Sequence, residues 1–421
     1  MGGLFDEVIV MKKFLLAIIF LMSFSSASCS AEKNIDPSAA KDLSVSVEKF
    51  CWKYFALRET DKNFFYSPYG IHAVLSILAN GASGETRKDI LDVLEVASVE
   101  TLNAGHKNFS ALIKKNYPGE NFLAEGNLLC VDKNYGGNLD ENFKRVVSGD
   151  YKSEVRTADF SGNAAGERQK IRRWVADKTK NFITNYNSLA SASTSIDILN
   201  VISFQGKWKI PFTPSQTLRK EFTNSDGSKG TAAMMSNVFK ETIKYRADEK
   251  FKAIELPYSG GAVMDLILPA DDDALNVCEL WNAQTIEYRA DFLNGLKNSY
   301  PFDGEVVVRI LNIGFSHENL SYQDFQKMGL QRLFTDDAKF FNIIKGTSLK
   351  LSNATQFCKV DINEQGTKAA AVTEVTMVET TATPNPRPPK KVYFVANRPY
   401  ILVIRDVESN MTLFAGAINN I

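Results

Sequence analysis

The sequence predicts an α+β fold, with helices leading and long strands following. Three observations carry that assignment. Four segments before residue 183 carry apolar residues at three-to-four spacing, which is helical. From residue 196 onward, long runs rich in β-branched residues replace that spacing. Between 45 and 380 no linker, repeat or low-complexity tract appears, so the 421 residues read as one domain despite a length that suits two or three.

Each element follows from local pattern. VEKFCWKYFALRET (47–60) is helical by spacing, and YSPYGIHAVLSILANGA begins a second helix with Ser67 and Pro68 at its cap and first turn. ETRKDILDVLEV (85–96) and RQKIRRWVADKTKNFI (168–183) are amphipathic helices. Strands are expected in IDILNVISFQGKW (196–208), FKAIELPYSGGAVMDLILP (251–269), EVVVRILNIGF (305–315), YFVANRPYILVIRD (393–406) and MTLFAGAI (411–418).

Charge argues against a nucleic-acid partner, because Lys+Arg and Asp+Glu are equal at 49 each and no basic run exceeds a pair such as Lys114-Lys115. The N-terminus carries an export signal. From Met11, two lysines precede an apolar stretch and then small residues, too short for a spanning helix, and Met11 reads as the start of the natural chain. Ser26-Ala27-Ser28-Cys29 resembles a bacterial lipobox, with Ser26 where an aliphatic residue is usual. It implies cleavage after residue 28, lipidation of Cys29 and a tether over 29–44. The competing reading is plain secretion with Cys29 idle. Anchoring would place the protein on a bacterial envelope, at the outer membrane, facing the periplasm or the exterior.

Catalytic chemistry has little support. His72, His106 and His317 are the only histidines, and no zinc-protease, nucleophile-elbow, phosphate-loop or dinucleotide pattern occurs. His72 falls in an apolar helical run, where a core histidine is expected. Cys51, Cys130, Cys278 and Cys358 are widely separated, so buried free thiols are expected and neither a disulfide scaffold nor a metal site is indicated. No cofactor is expected.

One stretch resists an ordinary structural reading. NEQGTKAAAVTEVTMVETTATPNPRPP (363–389) couples strand-forming residues to an exposed, proline-rich run holding Pro384, Pro386, Pro388 and Pro389. A free strand on a loop invites aggregation unless it has a use.

NFFYSPYGIHAVLSILANGASGETRKDIL, the WVADKT helix, LNVISFQGKWKIPF, AIELPY with MDLILP, and DINEQGTKAAA followed by FVANRPYILVI resemble the serpin family, in the family's order from about residue 45 to the end. The resemblance implies a single domain over 45–421 with eight or nine helices, three β-sheets and an exposed reactive-centre loop at about 364–391. It also implies a monomeric inhibitor, not an enzyme, whose partner is a target protease. The protease cleaves the loop, forms an acyl-enzyme, and is trapped when the freed segment enters the main sheet. By the same resemblance Glu364, Gly366, Thr367, Ala369, Ala370 and Ala371 form the hinge, and Ser67, Asn200 and Trp208 line the region where the sheet opens. Four departures stand out. Asn312-Ile313-Gly314-Phe315 replaces Pro-Lys-Phe, Tyr400 a phenylalanine, Gln356 a histidine and Gly70 a serine; the last two bear on the barrier to opening.

Alternation along the stretch agrees with insertion independently. Thr367, Ala369, Ala371, Thr373, Val375 and Met377 are all uncharged and small or apolar, whereas the other parity carries Lys368 and Glu374. A short helix through 368–375 is the competing local reading for the uncleaved loop. Counting from Glu364 as in inhibitory relatives gives Thr380-Thr381 as the reactive bond, within a range from Val378 and Glu379 to Ala382. Small and β-branched side chains there suit elastase- or subtilisin-like serine proteases, or papain-like cysteine proteases. The runner-up is a non-inhibitory serpin acting as a binding or storage module. A hydrolase in its own right is a distant third.

Overall fold

The α2 helix (Pro68–Gly81) occupies the centre of the molecule because nothing on it needs water. Every residue but Asn80 is buried, Pro68 opens it, and the Ser67 side chain caps it by accepting from the Gly70 N–H at 3.0 Å. Before it runs α1 (Pro37–Phe55), which buries Ala40, Leu43, Val47, Phe50 and Tyr54 along one stripe. After it come α3 (Gly84–Leu94), α4 (Val99–Asn116), α5 (Glu141–Asp150) and α6 (Phe160–Lys178). Three short helices, α7 (Val277–Asn282), α8 (Ile286–Lys297) and α9 (Tyr322–Lys327), bring the total to nine among the described residues. The computed structural model describes residues 36–117, 122–135, 139–347, 349–367 and 389–421. Ala39–Ile421 forms one compact unit.

Three sheets complete the α+β architecture. An antiparallel sheet joins β1 (Phe64–Tyr66), β16 (Thr412–Ile418), β15 (Tyr400–Asp406), β9 (Ala262–Pro269), β8 (Phe251–Pro257) and β7 (Lys244–Ala247), in that order. A smaller sheet has the order β14 (Lys391–Val395), β10 (Glu305–Leu311), β6 (Lys229–Lys240) and β5 (Leu218–Thr223). The main sheet runs β11 (Ile313–Asn319), β12 (Asn353–Asn363), β13 (Gly366–Thr367), β4 (Ile196–Lys207), β2 (Phe122–Asp132) and β3 (Ser153–Ala158).

The seam between β12 and β4 positions the site. From Asn353↔Asp197 to Lys359↔Ser203 these strands pair directly and in parallel. Beyond that point β13 lies between them, antiparallel to both, with Thr367 opposite Ile362 on one side and Gly206 on the other.

Several sequence expectations need correction. The expected tether 29–44 is too long, since α1 begins at Pro37 and already buries Ala40, Leu43 and Ser44. Its apolar spacing was present but weak, interrupted by Lys41 and Asp42. The run 305–315 is two strands in different sheets, parted at Asn312, and 393–406 likewise divides between β14 and β15. Continuous apolar pattern cannot reveal such a change of sheet. The helix expected at 168–183 starts at Phe160 and ends at Lys178, with Asn163 non-helical inside it. As expected, Cys51, Cys130, Cys278 and Cys358 are free and buried. Among the described residues no helix is long and apolar enough to cross a membrane.

Candidate functional site

At the mouth of the seam, the chain leaving β12 is held from several sides. Glu364 accepts from the Thr217 hydroxyl at 2.6 Å and the Asn312 amide at 3.1 Å, and its carbonyl accepts from the Phe212 N–H at 2.8 Å. Trp208 donates from its backbone N–H to the Gln365 carbonyl and from its indole to the Asn363 carbonyl, both at 2.9 Å. The Trp208 ring stacks on Tyr258 with centroids 4.3 Å apart and planes 13° apart. Gly366 has φ of +151°, and a Cβ there would lie 2.0 Å from the Gly206 carbonyl oxygen. Only glycine admits so close an approach. Thr367 is 1% exposed and shares a 2.6 Å hydrogen bond with the Tyr258 hydroxyl. Its register partners Ile362 and Gly206 place it on the core face of the sheet.

Deeper in the seam, four carboxamides form a row across four strands. Asn319 is paired with Gln356, Gln356 with Asn200, and Asn200 with Asn127. The Gln356 Nε2 donates to Asn200 Oδ1 at 3.1 Å and to the Ser67 carbonyl at 2.8 Å, while its Oε1 accepts from the Ser67 N–H at 2.9 Å. Asn200 donates to Asn127 Oδ1 at 2.8 Å. Gln356 and Asn200 are fully buried, so parting β4 from β12 breaks the bond between them and leaves Asn200 Oδ1 without its Gln356 donor unless something replaces it.

Gly70 explains how a glutamine fits. A Cβ at residue 70 would lie 2.3 Å from Asn200 Oδ1 and 2.5 Å from Gln356 Nε2. The two departures, Gly70 and Gln356, are therefore one adjustment, with the glutamine head filling the room the missing side chain leaves. Gly70→Ser alone is expected to overpack the row at a cost of about 1–3 kcal/mol, lowering the thermal midpoint of the intact protein by several degrees. Joined to Gln356→His, the loss should shrink below the sum of the two single changes. Strict additivity in thermal unfolding would show that the positions are independent.

The expected opening residues thus separate into two places. Asn200 belongs to the carboxamide row and Ser67 bonds to it through its backbone, whereas Trp208 stands eight residues on from Asn200, just past the end of β4 and about 26 Å away at ~3.3 Å per residue, beside the hinge. Glu364, Gly366 and Thr367 are brought together with Trp208. Ala369, Ala370, Ala371, Val378, Glu379, Thr380, Thr381, Ala382 and Cys29 lie outside the described residues. Sequence reading missed Tyr258, Phe212, Thr217, Asn312, Asn127 and Asn319. Of these only Asn312 carried a signal, standing at a departure from the family pattern.

No group here is poised for covalent chemistry. Ser46 Oγ lies 3.0 Å from His72 Nε2, yet the serine donates to the Leu94 carbonyl, His72 is fully buried, and burial pushes its imidazole down to about 3. Burial likewise pushes the thiols of Cys51, Cys130 and Cys278 up to about 12, away from thiolate chemistry. Among the described residues no cluster could hold a metal ion. What the arrangement presents is a seam of direct parallel pairing with a two-residue strand seated at its mouth.

A family model described as "Serpin (serine protease inhibitor)" matches residues 46–421. "Intracellular coagulation inhibitor 2" of Tachypleus tridentatus is 28% identical over 367 residues, which cover 86% of each chain. Antithrombin-III of Homo sapiens is 29% identical over 86% of this chain and 77% of its own. The native-state crystal structure of the thermophilic serpin tengpin matches with a TM-score of 0.76 at 21% identity, over 92% of this chain and 96% of that one. That last likeness is one of fold.

Proposed function

Because the chain belongs to the serpin family, we propose that it inhibits proteases as a suicide substrate, trapping the acyl-enzyme by drawing its cleaved loop into the main sheet. The observation that carries this reading is β13, a two-residue strand wedged between β12 and β4 with ladder pairing on both sides. Thr367 is the last described residue of β13, and the next described strand, β14, begins at Lys391 in another sheet. A cut between them frees the first segment to continue as strand.

Extending the observed register shows what would follow. Six residues beyond Thr367, Thr373 would stand opposite Asn200 and Gln356, six residues back along each neighbour. Its hydroxyl can then replace the one hydrogen bond that Gln356 and Asn200 lose to each other, which gives a reason for a polar residue in the small, apolar parity. Ten residues on, Met377 would reach Ile196, the end of β4. A cut anywhere from Val378 to Ala382, Thr380-Thr381 at its centre, therefore leaves enough chain to fill the seam. Full insertion exchanges the seven direct parallel pairs of the seam for antiparallel pairing on both sides. At ~0.5–1.5 kcal/mol net per added hydrogen bond, with buried methyl groups besides, the gain is on the order of 10 kcal/mol. The carried protease moves roughly 35 Å over ten residues. The inhibitor supplies no catalytic group.

Incubation with an elastase-like, a subtilisin-like and a papain-like protease tests the reading. A denaturant-resistant complex of inhibitor and protease is expected with at least one of them; cleavage without any complex would favour a binding or storage module. We read Cys29 as a lipid anchor on a bacterial envelope. Cys29→Ala is expected to move the protein from the detergent phase to the soluble fraction and leave inhibition unchanged, since stable attachment needs acyl chains. Wild-type protein already soluble in bacteria would exclude the anchor.

A further inference from the structure

A cavity of about 300 Å³ lies between α4 and β2, lined among others by Ile113 and Lys114 from the helix and by Leu123, Glu125 and Asn127 from the strand, with Lys152 beside them. Its floor is continuous with the carboxamide row. Asn127, which accepts from Asn200, donates through Nδ2 to Glu125 Oε1 at 3.2 Å and to the Tyr151 carbonyl at 3.0 Å. Tyr69, on α2, donates to the other Glu125 oxygen at 3.1 Å. The Glu125 carboxyl thus has two neutral donors, and no lysine or arginine among the described residues pairs with it. Burial raises it to about 7. Lys114 is exposed at the end of α4 and Lys152 is exposed before β3, so an acidic group inside faces positive charge at the rim.

We propose that this cavity binds a small zwitterion with an apolar body, of the size and chemistry of a free amino acid, its ammonium on Glu125 and its carboxylate toward Lys114 and Lys152. Ile113 and Leu123 supply apolar wall, and the missing countercharge of Glu125 supplies the preference for an ammonium. Occupation holds the sheet closed, a consequence that rests on the insertion reading. When β4 leaves β12, β2 and β3 must travel with it, because β2 pairs with β4 over ten residues and with β3 beyond. The strand β2 then slides past α2 and α4. A ligand spanning α4 and β2 resists that slide, and so favours the closed form that binds it.

Calorimetric titration of the whole protein with L-phenylalanine tests the site, with N-acetyl-L-phenylalanine and phenethylamine as probes lacking one charge each. Phenylalanine is expected to bind at least tenfold more tightly than either, and Glu125→Gln to abolish binding. Ile113→Trp, which fills the cavity without touching the carboxyl, should do the same and serves if Glu125→Gln does not fold. Absence of binding, or binding indifferent to both variants, overturns the site. In a second arm, saturating phenylalanine should at least double the cleaved-to-trapped ratio with a protease that forms the complex. An unchanged ratio overturns the coupling to the sheet. Failure to form any complex without phenylalanine instead counts against the inhibitory reading, and the titration then still decides for or against the cavity by itself.

Discussion

Thr367→Arg is expected to convert the protein from an inhibitor into a substrate, cut at the same bond and released. Thr367 is 1% exposed on the core face of the main sheet, bonded to Tyr258, and it is the last described residue before the loop. Every later residue can enter the seam only behind it. An arginine cannot occupy that place without burying its charge at a cost of several kcal/mol or pulling the hinge out toward water. Either outcome slows insertion. Acylation takes place at a bond thirteen residues on if it is Thr380-Thr381, roughly 40 Å of extended chain away, and should proceed unchanged. Deacylation then wins, and the fraction of protease trapped is expected to fall by at least tenfold while the rate of loop cleavage holds. Lys368→Glu, on the parity that faces water in an inserted strand, should leave trapping within about twofold. Measured as the amounts of complex and of cleaved inhibitor on a denaturing gel, equal trapping by both variants would falsify the insertion account of the hinge.

Protein nicked between Val378 and Ala382 is expected to melt on the order of 20 °C above intact protein. The intact molecule keeps β4 and β12 paired in parallel below a two-residue wedge. After the cut, ten further residues can extend that wedge to Ile196 and pair on both sides. The gain of about 10 kcal/mol in hydrogen bonds and buried methyl groups belongs to the cleaved form alone. Because unfolding of a protein this large can be rate-controlled, the comparison should be made at one scan rate. Equal midpoints for nicked and intact protein would mean that the loop stays outside the sheet.

Much of this was legible before any coordinates. Helical spacing located α2, α3 and the body of α6, and β-branched runs located β4, β8, β9, β15 and β16. The left-handed φ of Gly366 was not visible, whereas the alternation from Thr367 to Met377 was, as a small, uncharged parity of which Thr367 is the one described member and is buried. These are local properties, because a strand's alternation and a helix's stripe are set by neighbours a few residues away. Helices that lacked a continuous stripe escaped detection, as α1 did before Val47.

What the sequence alone determined is therefore the class of fold, the family, and a loop whose composition permits insertion. The tertiary structure decided where β13 sits between β4 and β12 and which side chains bridge the seam below it. Asn127, Asn200, Asn319 and Gln356 are scattered over more than two hundred residues, and strand register alone brings them into one row under Ser67. Gly70 and Gln356 read in the sequence as two losses from one polar cluster, and in space the glutamine head fills the room the glycine leaves. Trp208, grouped with Asn200 in the sequence, stands beside Asn363 and Gln365 at the hinge, since eight residues of extended chain separate it from Asn200. Pairing across a sheet depends on which strands meet and in what register, and that is settled by the packing of the whole core.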